Sequence, residues 1–342
     1  MMRRSIRHIT VCRLVLSALM GLLAVASCKR VPLYESSSGL YLELQLKLDL
    51  DLTVSDTIDL SNHPQYYNKV HIDAPSRLAA CFYDTKTHQL VAKEYVGPTG
   101  GYITSVPAGT YDLLVYQLGT IVTQVDNDGV RGQLKAQTTD ITQSVSSRFR
   151  SKATKTGTAV NSDPVISEPD HLLVARLADV VVPDHADIDE TVVIHADGKS
   201  VVETYTYIVK TVVGMENVNT VQALVSGQAA SKFLWDEHTP TATVNLLTQT
   251  VADRTRKCFY GVYNTFGQIA GRVYINFLVQ TAAGDELVFP VDVTDQITDP
   301  DNTGHRIEID SIDVAASSGT ASEGYIPTVN QWDDEIIDIP IQ

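Results

Sequence analysis

Cysteine, tryptophan and basic side chains are scarce in this sequence of 342 residues. It has four cysteines, two tryptophans, and 26 Lys and Arg residues against 41 Asp and Glu residues, so its formal net charge is −15. A protein that binds a nucleic-acid backbone needs clustered Lys and Arg side chains to neutralise the phosphates. The charge balance therefore argues against a nucleic-acid partner.

Catalytic and metal-binding motifs are missing as well. The sequence has no Gly-x-Ser-x-Gly, no His-Glu-x-x-His and no glycine-rich phosphate loop that opens a helix. The segment from Asp299 to Asp310 spaces acids like a calcium loop, but Pro300 lies inside it, so a β-turn is the favoured interpretation. These absences predict a protein that is not an enzyme, has no catalytic or metal site and uses no cofactor. The histidines considered as candidate bases or ligands show no paired spacing: His63, His71, His88, His185, His195, His238 and His305.

Long apolar runs are absent, and the longest one, from Leu14 to Val25, has 12 residues. That is too short to span a bilayer, but it suits the apolar part of a signal peptide and follows a basic start. It ends in Val-Ala-Ser before Cys28, a pattern that resembles the lipobox of bacterial lipoproteins. We therefore predict a signal peptide at residues 1–27, lipidation of Cys28 and a polar tether at 28–39. The alternative is an ordinary secretory signal with an incidental cysteine.

Two cysteines remain in the body of the chain, Cys81 and Cys258, since Cys12 lies in the predicted signal peptide. Both are followed by Phe-Tyr in apolar, strand-like surroundings. A disulfide between them is compatible with an oxidising cell envelope. Buried free thiols are the favoured interpretation.

The start of the mature chain alternates strictly between leucine and mostly polar residues. A period of two predicts a β-strand with one buried face. The run through Val54 has 15 residues and would be about 50 Å long, so we expect a bend or a continuation beyond its sheet. The leucines of this first strand are Leu40, Leu42, Leu44, Leu46, Leu48, Leu50 and Leu52.

Strand-like segments separated by turn residues fill most of the remaining chain, which predicts an all-β fold. Asp197-Gly198 and Gly284-Asp285 are typical of hairpin turns, and residues 136–148 are the one candidate helix. The polar, proline-containing segment 148–170 is predicted to be a long exposed loop. The predicted strands are 77–83, 89–95, 102–106, 111–118, 172–182, 191–195, 201–213, 218–226, 243–247, 256–263, 271–280 and 286–293.

The mature length suggests two domains. We place a first β-domain at residues 40–183 and a second at 184–316, because Pro183-Asp184-His185 separates two dense groups of strands. A Ser- and Gly-rich linker then leads to a C-terminal strand or tail, the two together covering residues 317–342.

Three segments together resemble one family. They are Val106–Tyr116, which starts Val-Pro-Ala-Gly-Thr-Tyr, then Val213–Gly227 and Val291–Ile297. With the lipobox before them and an acidic tail containing Trp332 behind them, the chain is similar to the fimbrillin-like lipoproteins of the Bacteroidales, the subunits of type V pili. The resemblance implies two tandem transthyretin-like β-sandwich domains. It also implies a cell-surface pilus or fimbria, attached to the outer membrane by lipid and involved in cell adhesion.

The same resemblance implies assembly by β-strand donation between pilus subunits. In that family an arginine-specific protease removes the first strand of polymerising subunits, and a neighbour's strand replaces it. No arginine lies between Arg30 and Arg77, so Arg77 is the candidate processing site that would remove the first strand here. Because Arg77 adjoins an apparent strand, we expect the chain to keep its first strand and its lipid, as an anchor or accessory subunit.

The tail from Tyr325 to Gln342 is a candidate donor strand, with Ile337, Ile339 and Ile341 alternating along it. Pro340 suits an end position, because proline cannot donate a ladder hydrogen bond. The equal alternative is that the tail is the last strand of its own domain.

The second hypothesis for function is an outer-membrane surface lipoprotein that binds a glycan or another adhesion ligand of a host or bacterial surface. Sugar sites favour exposed aromatic rings. The candidates for this role are Trp235, Trp332, Tyr66, Tyr67, Tyr205 and Tyr207.

Overall fold

A computed structural model describes residues 40–46, 63, 66–70, 72, 74–139, 163–184, 192–269 and 271–315. Nearly all regular structure in these ranges is β, which confirms the predicted fold class. None of the described helices has the length and hydropathy needed to span a bilayer. The strands are β1 (Leu40–Leu46), β2 (Arg77–Asp84), β3 (Leu90–Val96), β4 (Gly100–Ile103), β5 (Gly109–Leu118), β6 (Gln124–Asp126), β7 (Lys135–Gln137), β8 (Val165–Ile166), β9 (Leu173–Val182), β10 (Val192–Ser200), β11 (Glu203–Val213), β12 (Val218–Ala229), β13 (Ser231–Phe233), β14 (Thr243–Asp253), β15 (Cys258–Thr265), β16 (Tyr274–Thr281), β17 (Glu286–Asp292) and β18 (Arg306–Asp313). Two short helices accompany them, α1 (Tyr67–Val70) and α2 (Thr294–Thr298).

The first sheet has seven strands in the order β3-β2-β5-β9-β10-β1-β4. Its inward face packs Leu78, Phe82, Ile103, Leu113 and Ile194 into one apolar cluster. The pairing is antiparallel except between β1 and β10, which run parallel. The first and the tenth strand of the chain therefore meet inside one sheet.

The second sheet runs β17-β16-β12-β14-β15-β11-β18, and β8 pairs with β14 at its side. Its core includes Tyr207, Phe259 and Phe277. Gly261 lies on β15 directly opposite Tyr207 on β11, where a Cβ would collide with the tyrosine ring and hydroxyl. The missing side chain at Gly261 is thus what lets Tyr207 lie flat on the strand and bond Thr250 Oγ1 at 2.7 Å.

A small third sheet, β13-β7-β6, covers the other face of the first sheet. The predicted helix at 136–148 is wrong at its start, because Ala136 is a fully buried strand residue. Ala136 is registered with Val125 on one side and Lys232 on the other, and this pairing between strands outweighs any local helical tendency. Residues 140–148 lie outside the described ranges.

Two turn predictions have different outcomes. The turn at Gly284-Asp285 is confirmed, since it joins β16 to β17. The turn at Asp197-Gly198 is wrong, because both residues lie inside β10 and are registered with β1. The chain reverses instead at Val201-Val202, where the Ser200 hydroxyl accepts a hydrogen bond from the Val202 amide at 3.1 Å.

The change from the first sheet to the second falls between Ser200 and Glu203. Strand β10 lies after the predicted boundary at residue 183, yet it completes the first sheet because it pairs with β9 and β1. The division into two domains and their transthyretin-like topology stay predictions.

Candidate strand-exchange site

Strand β1 is an interior strand of the first sheet. It pairs in parallel with β10, where Leu42 is registered with Ile194 and Leu44 with Ala196. On its other side it pairs antiparallel with β4, where Leu40 is registered with Ile103. We call the gap between β4 and β10 that β1 fills the strand slot. A strand in this slot satisfies the backbone groups of two neighbours at once.

The walls of the strand slot belong to the core. Ile103, Ile194 and Ala196 are only 2%, 8% and 2% exposed, whereas Val193, which precedes Ile194 on β10, is 43% exposed. The even-numbered residues of β1 are thus registered with the core-facing residues of β10, which agrees with the period-two leucine pattern. Without an occupant, this side of the core would face water.

Residues 66–70, which follow β1 in the chain, contact the second sheet. Tyr66 is fully buried beside Val70 of α1 and against Tyr260 and Val262 of β15, which lie on the face of that sheet opposite its main core. Its hydroxyl donates to the Gln249 carbonyl oxygen at 2.9 Å. Burial, rather than this bond, is the main reason why the pKa of Tyr66 is raised far above its usual value.

Beside Tyr66 lies a largely enclosed ion pair. Lys69 Nζ is 2.7 Å from Glu168 Oε1, and the two side chains are 16% and 12% exposed. The ammonium group also donates to the Val262 carbonyl oxygen at 2.7 Å. The second carboxylate oxygen of Glu168 accepts from the Asn264 amide at 3.0 Å. Each charged group therefore has the other as its partner and a backbone group of β15 as a second one, as enclosed charges require.

His171 completes this arrangement. Its Nε2–H donates to the Lys69 carbonyl oxygen at 2.8 Å, and its Nδ1 is 2.9 Å from the Ser200 hydroxyl. Burial lowers the pKa of His171, because a charged ring is poorly solvated there. Its neutral form fits these contacts. We call Tyr66, Lys69, Glu168 and His171 the docking cluster.

The sequence did not single out Lys69, Glu168 or His171. Residues 148–170 were predicted to be an exposed loop, but β8 is buried and Glu168 is largely enclosed, so the prediction is wrong for residues 165–168. The pairing of β8 with β14 is what carries Glu168 to the second sheet. A partner 99 residues away in the chain leaves no local signal of this pairing.

Arg77 is the first residue of β2, exposed and registered with Leu118 of β5. Its guanidinium lies over the Tyr95 ring, 5.7 Å from the centroid. A protease that binds extended chain would have to free this residue from its pairing with β5. Three groups of predicted residues lie outside the described ranges. They are the lipidation site Cys28, the first-strand leucines Leu48, Leu50 and Leu52, and the candidate donor residues Ile337, Ile339 and Ile341.

Cys81 and Cys258 are free and buried, in the first and the second sheet respectively. The favoured interpretation of two unpaired thiols is therefore confirmed. Burial raises the pKa of each thiol to about 11. Almost no thiolate is present at neutral pH, so neither residue is a candidate nucleophile.

The aromatic residues considered as sugar platforms are used for packing. Tyr66 and Tyr207 are fully buried, and Tyr205 is stacked between Tyr263 and His305. Trp235 is covered by the Arg131 guanidinium, which lies 4.4 Å from its ring. These rings do not offer free faces to a ligand. Trp332 lies outside the described residues, as does the side chain of Tyr67.

Three solved structures and one family model are similar to this chain. The family model, described as a domain of unknown function (DUF5119), matches residues 66–249, which include the docking cluster. A candidate adhesin from Bacteroides ovatus has a TM-score of 0.55 at 15% identity, covering 81% of this chain and 93% of that one. The fimbrial anchor protein Mfa2 from Porphyromonas gingivalis has 0.48 at 13% identity, covering 81% and 90%. A candidate cell adhesion protein from Bacteroides eggerthii has 0.43 at 11% identity, covering 86% and 93%.

These likenesses differ in what they establish. The match to the Bacteroides ovatus protein establishes a common fold. No curated protein sequence matches this chain. The all-β fold expected from the fimbrillin-like resemblance is thus confirmed, whereas its two transthyretin-like domains stay predictions. The function has to be argued from the strand slot and the docking cluster.

Proposed function

The chain belongs to the DUF5119 family, and from this premise and the fold we propose that it is a structural subunit of a cell-surface pilus, of the anchor or accessory type. Assembly proceeds by β-strand donation between subunits. The observation that carries the proposal is the strand slot, where an N-terminal strand lies between two core strands that are distant from it in the chain. A strand held only by ladder pairing and one apolar face is the element that strand donation exchanges.

Emptying the slot has a clear physical cost. Strands β4 and β10 would each lose a ladder partner, and Ile103, Ile194 and Ala196 would face water. Such an open edge associates readily with another strand. A strand from a neighbouring subunit that runs parallel to β10 would restore both the ladder and the apolar contact.

We place the protein at the outer membrane, anchored by lipid on Cys28. The 12 residues of the tether from 28 to 39 span at most about 40 Å, so β1 would lie close to the membrane surface. Several acyl chains on one cysteine give firm anchoring, whereas one chain binds marginally. The mature chain would then keep its first strand, in agreement with the position of Arg77 inside β2.

Lipidation is tested with matched cysteine variants. Cells that express the wild-type chain, Cys28→Ala or Cys12→Ala are fed an alkyne fatty acid, and the labelled proteins are detected. We expect label on the wild type and on Cys12→Ala but not on Cys28→Ala. Label that persists on Cys28→Ala would overturn the lipid anchor.

The pilus role is tested on intact cells. Immunogold labelling should decorate filaments or their bases, and the protein should co-purify with pilin polymers. Diffuse label on cells that lack filaments would contradict the role. N-terminal analysis of the surface form should find the chain intact through Arg77, and a surface form beginning at Leu78 would overturn the anchor or accessory assignment in favour of a processed stalk subunit.

Adhesion to a host or bacterial ligand stays a separate prediction. The candidate adhesin and candidate cell adhesion protein described above are named for this activity. Glycan-array binding that is lost on substitution of an exposed aromatic residue such as Tyr102, which is 61% exposed, would support it.

A further inference from the structure

Two members of the docking cluster, Tyr66 and Lys69, precede Arg77 in the chain, as β1 does, whereas Glu168 and His171 follow it. A cut after Arg77 would therefore leave β1 and Tyr66–Val70 together on one N-terminal fragment. We propose that the docking cluster is a binding site that retains this fragment without a covalent link, so that cutting the chain does not vacate the strand slot. That a cut chain would then accept no donor strand during pilus assembly rests on the proposed function, whereas retention of the fragment rests only on the contacts described above.

The fragment is held at two places on two sheets. Strand β1 pairs along seven registered residues with β10 in the first sheet. Independently, Tyr66 is buried among Tyr260, Val262 and Val70 on the second sheet. A segment held at two sites dissociates only when both open together, because the site that stays closed keeps the other at high local concentration.

The ion pair makes the docking cluster selective. If the fragment left, Glu168 would lose Lys69 Nζ and keep only the hydrogen bond from the Asn264 amide. An enclosed carboxylate without a cation is strongly disfavoured. A replacement segment therefore has to bring a Lys or Arg to Glu168 in addition to a strand for the slot.

The chain's own C-terminal tail does not meet this requirement. Residues 325–342 contain no Lys or Arg, but they contain Asp333, Asp334, Glu335 and Asp338. Their negative charges would be brought towards Glu168. A second copy of this chain is thus a poor donor to the N-terminal site of the first, which places the subunit at an end of a filament rather than inside a homopolymer.

A nicked full-length chain tests the proposal. A specific protease site is inserted after the exposed Ala74, between α1 and β2. The lipidated protein, purified in detergent with a C-terminal affinity tag, is cut and immobilised, and release of the N-terminal fragment is followed over time by gel electrophoresis. We expect the fragment to stay bound to the immobilised body for hours.

Four variants distinguish the ion pair from general instability. Lys69→Met should release the fragment about 100-fold faster, because it leaves Glu168 unpaired. Lys69→Met combined with Glu168→Met should restore slow release, since neither charge is then enclosed alone. Tyr66→Phe, which removes the hydroxyl's hydrogen bonds to the carbonyl oxygens of Gln249 and Tyr260, should accelerate release a few-fold. Lys86→Met, at an exposed turn, is the matched control and should have no effect.

Circular dichroism of the uncut variants shows whether each one folds. If Lys69→Met does not fold, the release rates of Tyr66→Phe and of the Lys69→Met/Glu168→Met double variant decide the test. Competing peptides complete the test. A peptide of residues 40–76 should displace the fragment, and one of residues 325–342 should not. Rapid release from the unsubstituted protein, equal rates for Lys69→Met and Lys86→Met, or displacement by the 325–342 peptide would each overturn the proposal. Loss of filament labelling with retention intact would instead count against the pilus role alone.

Discussion

The Lys69–Glu168 pair permits a quantitative test in the uncut protein. The two charged atoms are 2.7 Å apart, and the side chains are 16% and 12% exposed. Removing one member of such a pair leaves the other charge without compensation, which costs about 3 kcal/mol at the lower end of the buried range. The lower end applies because both side chains keep some contact with water.

The cost should not be additive. Lys69→Met and Glu168→Met are each expected to lower the free energy of unfolding by about 3 kcal/mol. The double substitution leaves neither charge enclosed alone, so it should cost at most about 1 kcal/mol instead of the additive value of about 6 kcal/mol. The resulting coupling energy of about 5 kcal/mol would measure how strongly the segment before β2 is tied to the second sheet.

Urea unfolding at pH 7, followed by far-UV circular dichroism, gives the free energy of unfolding of each variant. Tryptophan and tyrosine fluorescence should report the same transition, which shows that unfolding is two-state. Lys86→Met is the control for loss of a lysine at an exposed position. The reasoning is refuted if the two single effects add within about 0.5 kcal/mol. A Lys69→Met protein as stable as the control would refute it as well.

Three further predictions concern the core and the titrating groups. Gly261→Ala should cost about 1–3 kcal/mol in thermal or urea unfolding, because its Cβ has no space, whereas Gly129→Ala, with nothing within 4 Å, should be close to neutral. Cys81 and Cys258, whose pKa values are raised to about 11, should resist iodoacetamide at pH 8 in the folded protein and react after denaturation; modification of the native protein would contradict their burial. The pKa of His171 is lowered in the folded protein, so the unfolded chain binds a proton first as the pH falls through 6.5. The free energy of unfolding should therefore fall below that pH, and with it the urea midpoint. If the midpoint of His171→Gln depends on pH as strongly as that of the unsubstituted protein, the effect belongs to other groups.

The sequence predicted the strand that fills the slot and strands that overlap both of its neighbours, but not the pairing between them. The period-two leucines located β1, because alternation is a local property of a half-buried strand. Its partner β10 begins at Val192, about 150 residues later in the chain, and pairs in parallel. Nothing local specifies such a pairing, and Asp197-Gly198 even suggested a turn where the strand continues.

The docking cluster escaped prediction for a related reason. Glu168 follows polar residues and prolines that are typical of a surface loop, and Lys69 reads as an ordinary surface lysine. Each is enclosed only because the other is present, since an unpaired charge would not stay in that position. Mutual burial of two distant charges is a property of the folded chain.

Under the proposed function, the strand slot and the docking cluster divide exchange and retention of one segment between them. Ladder pairing in the strand slot is independent of side-chain identity apart from its apolar face, so many alternating strands would fit it. The docking cluster adds a demand that only a correctly placed cation meets, because Glu168 lies within reach of few other groups. Affinity therefore comes mainly from the slot, and selectivity comes from one ion pair on a different sheet. A chain built in this way can share the fold of the Bacteroides ovatus protein and still keep its own first strand.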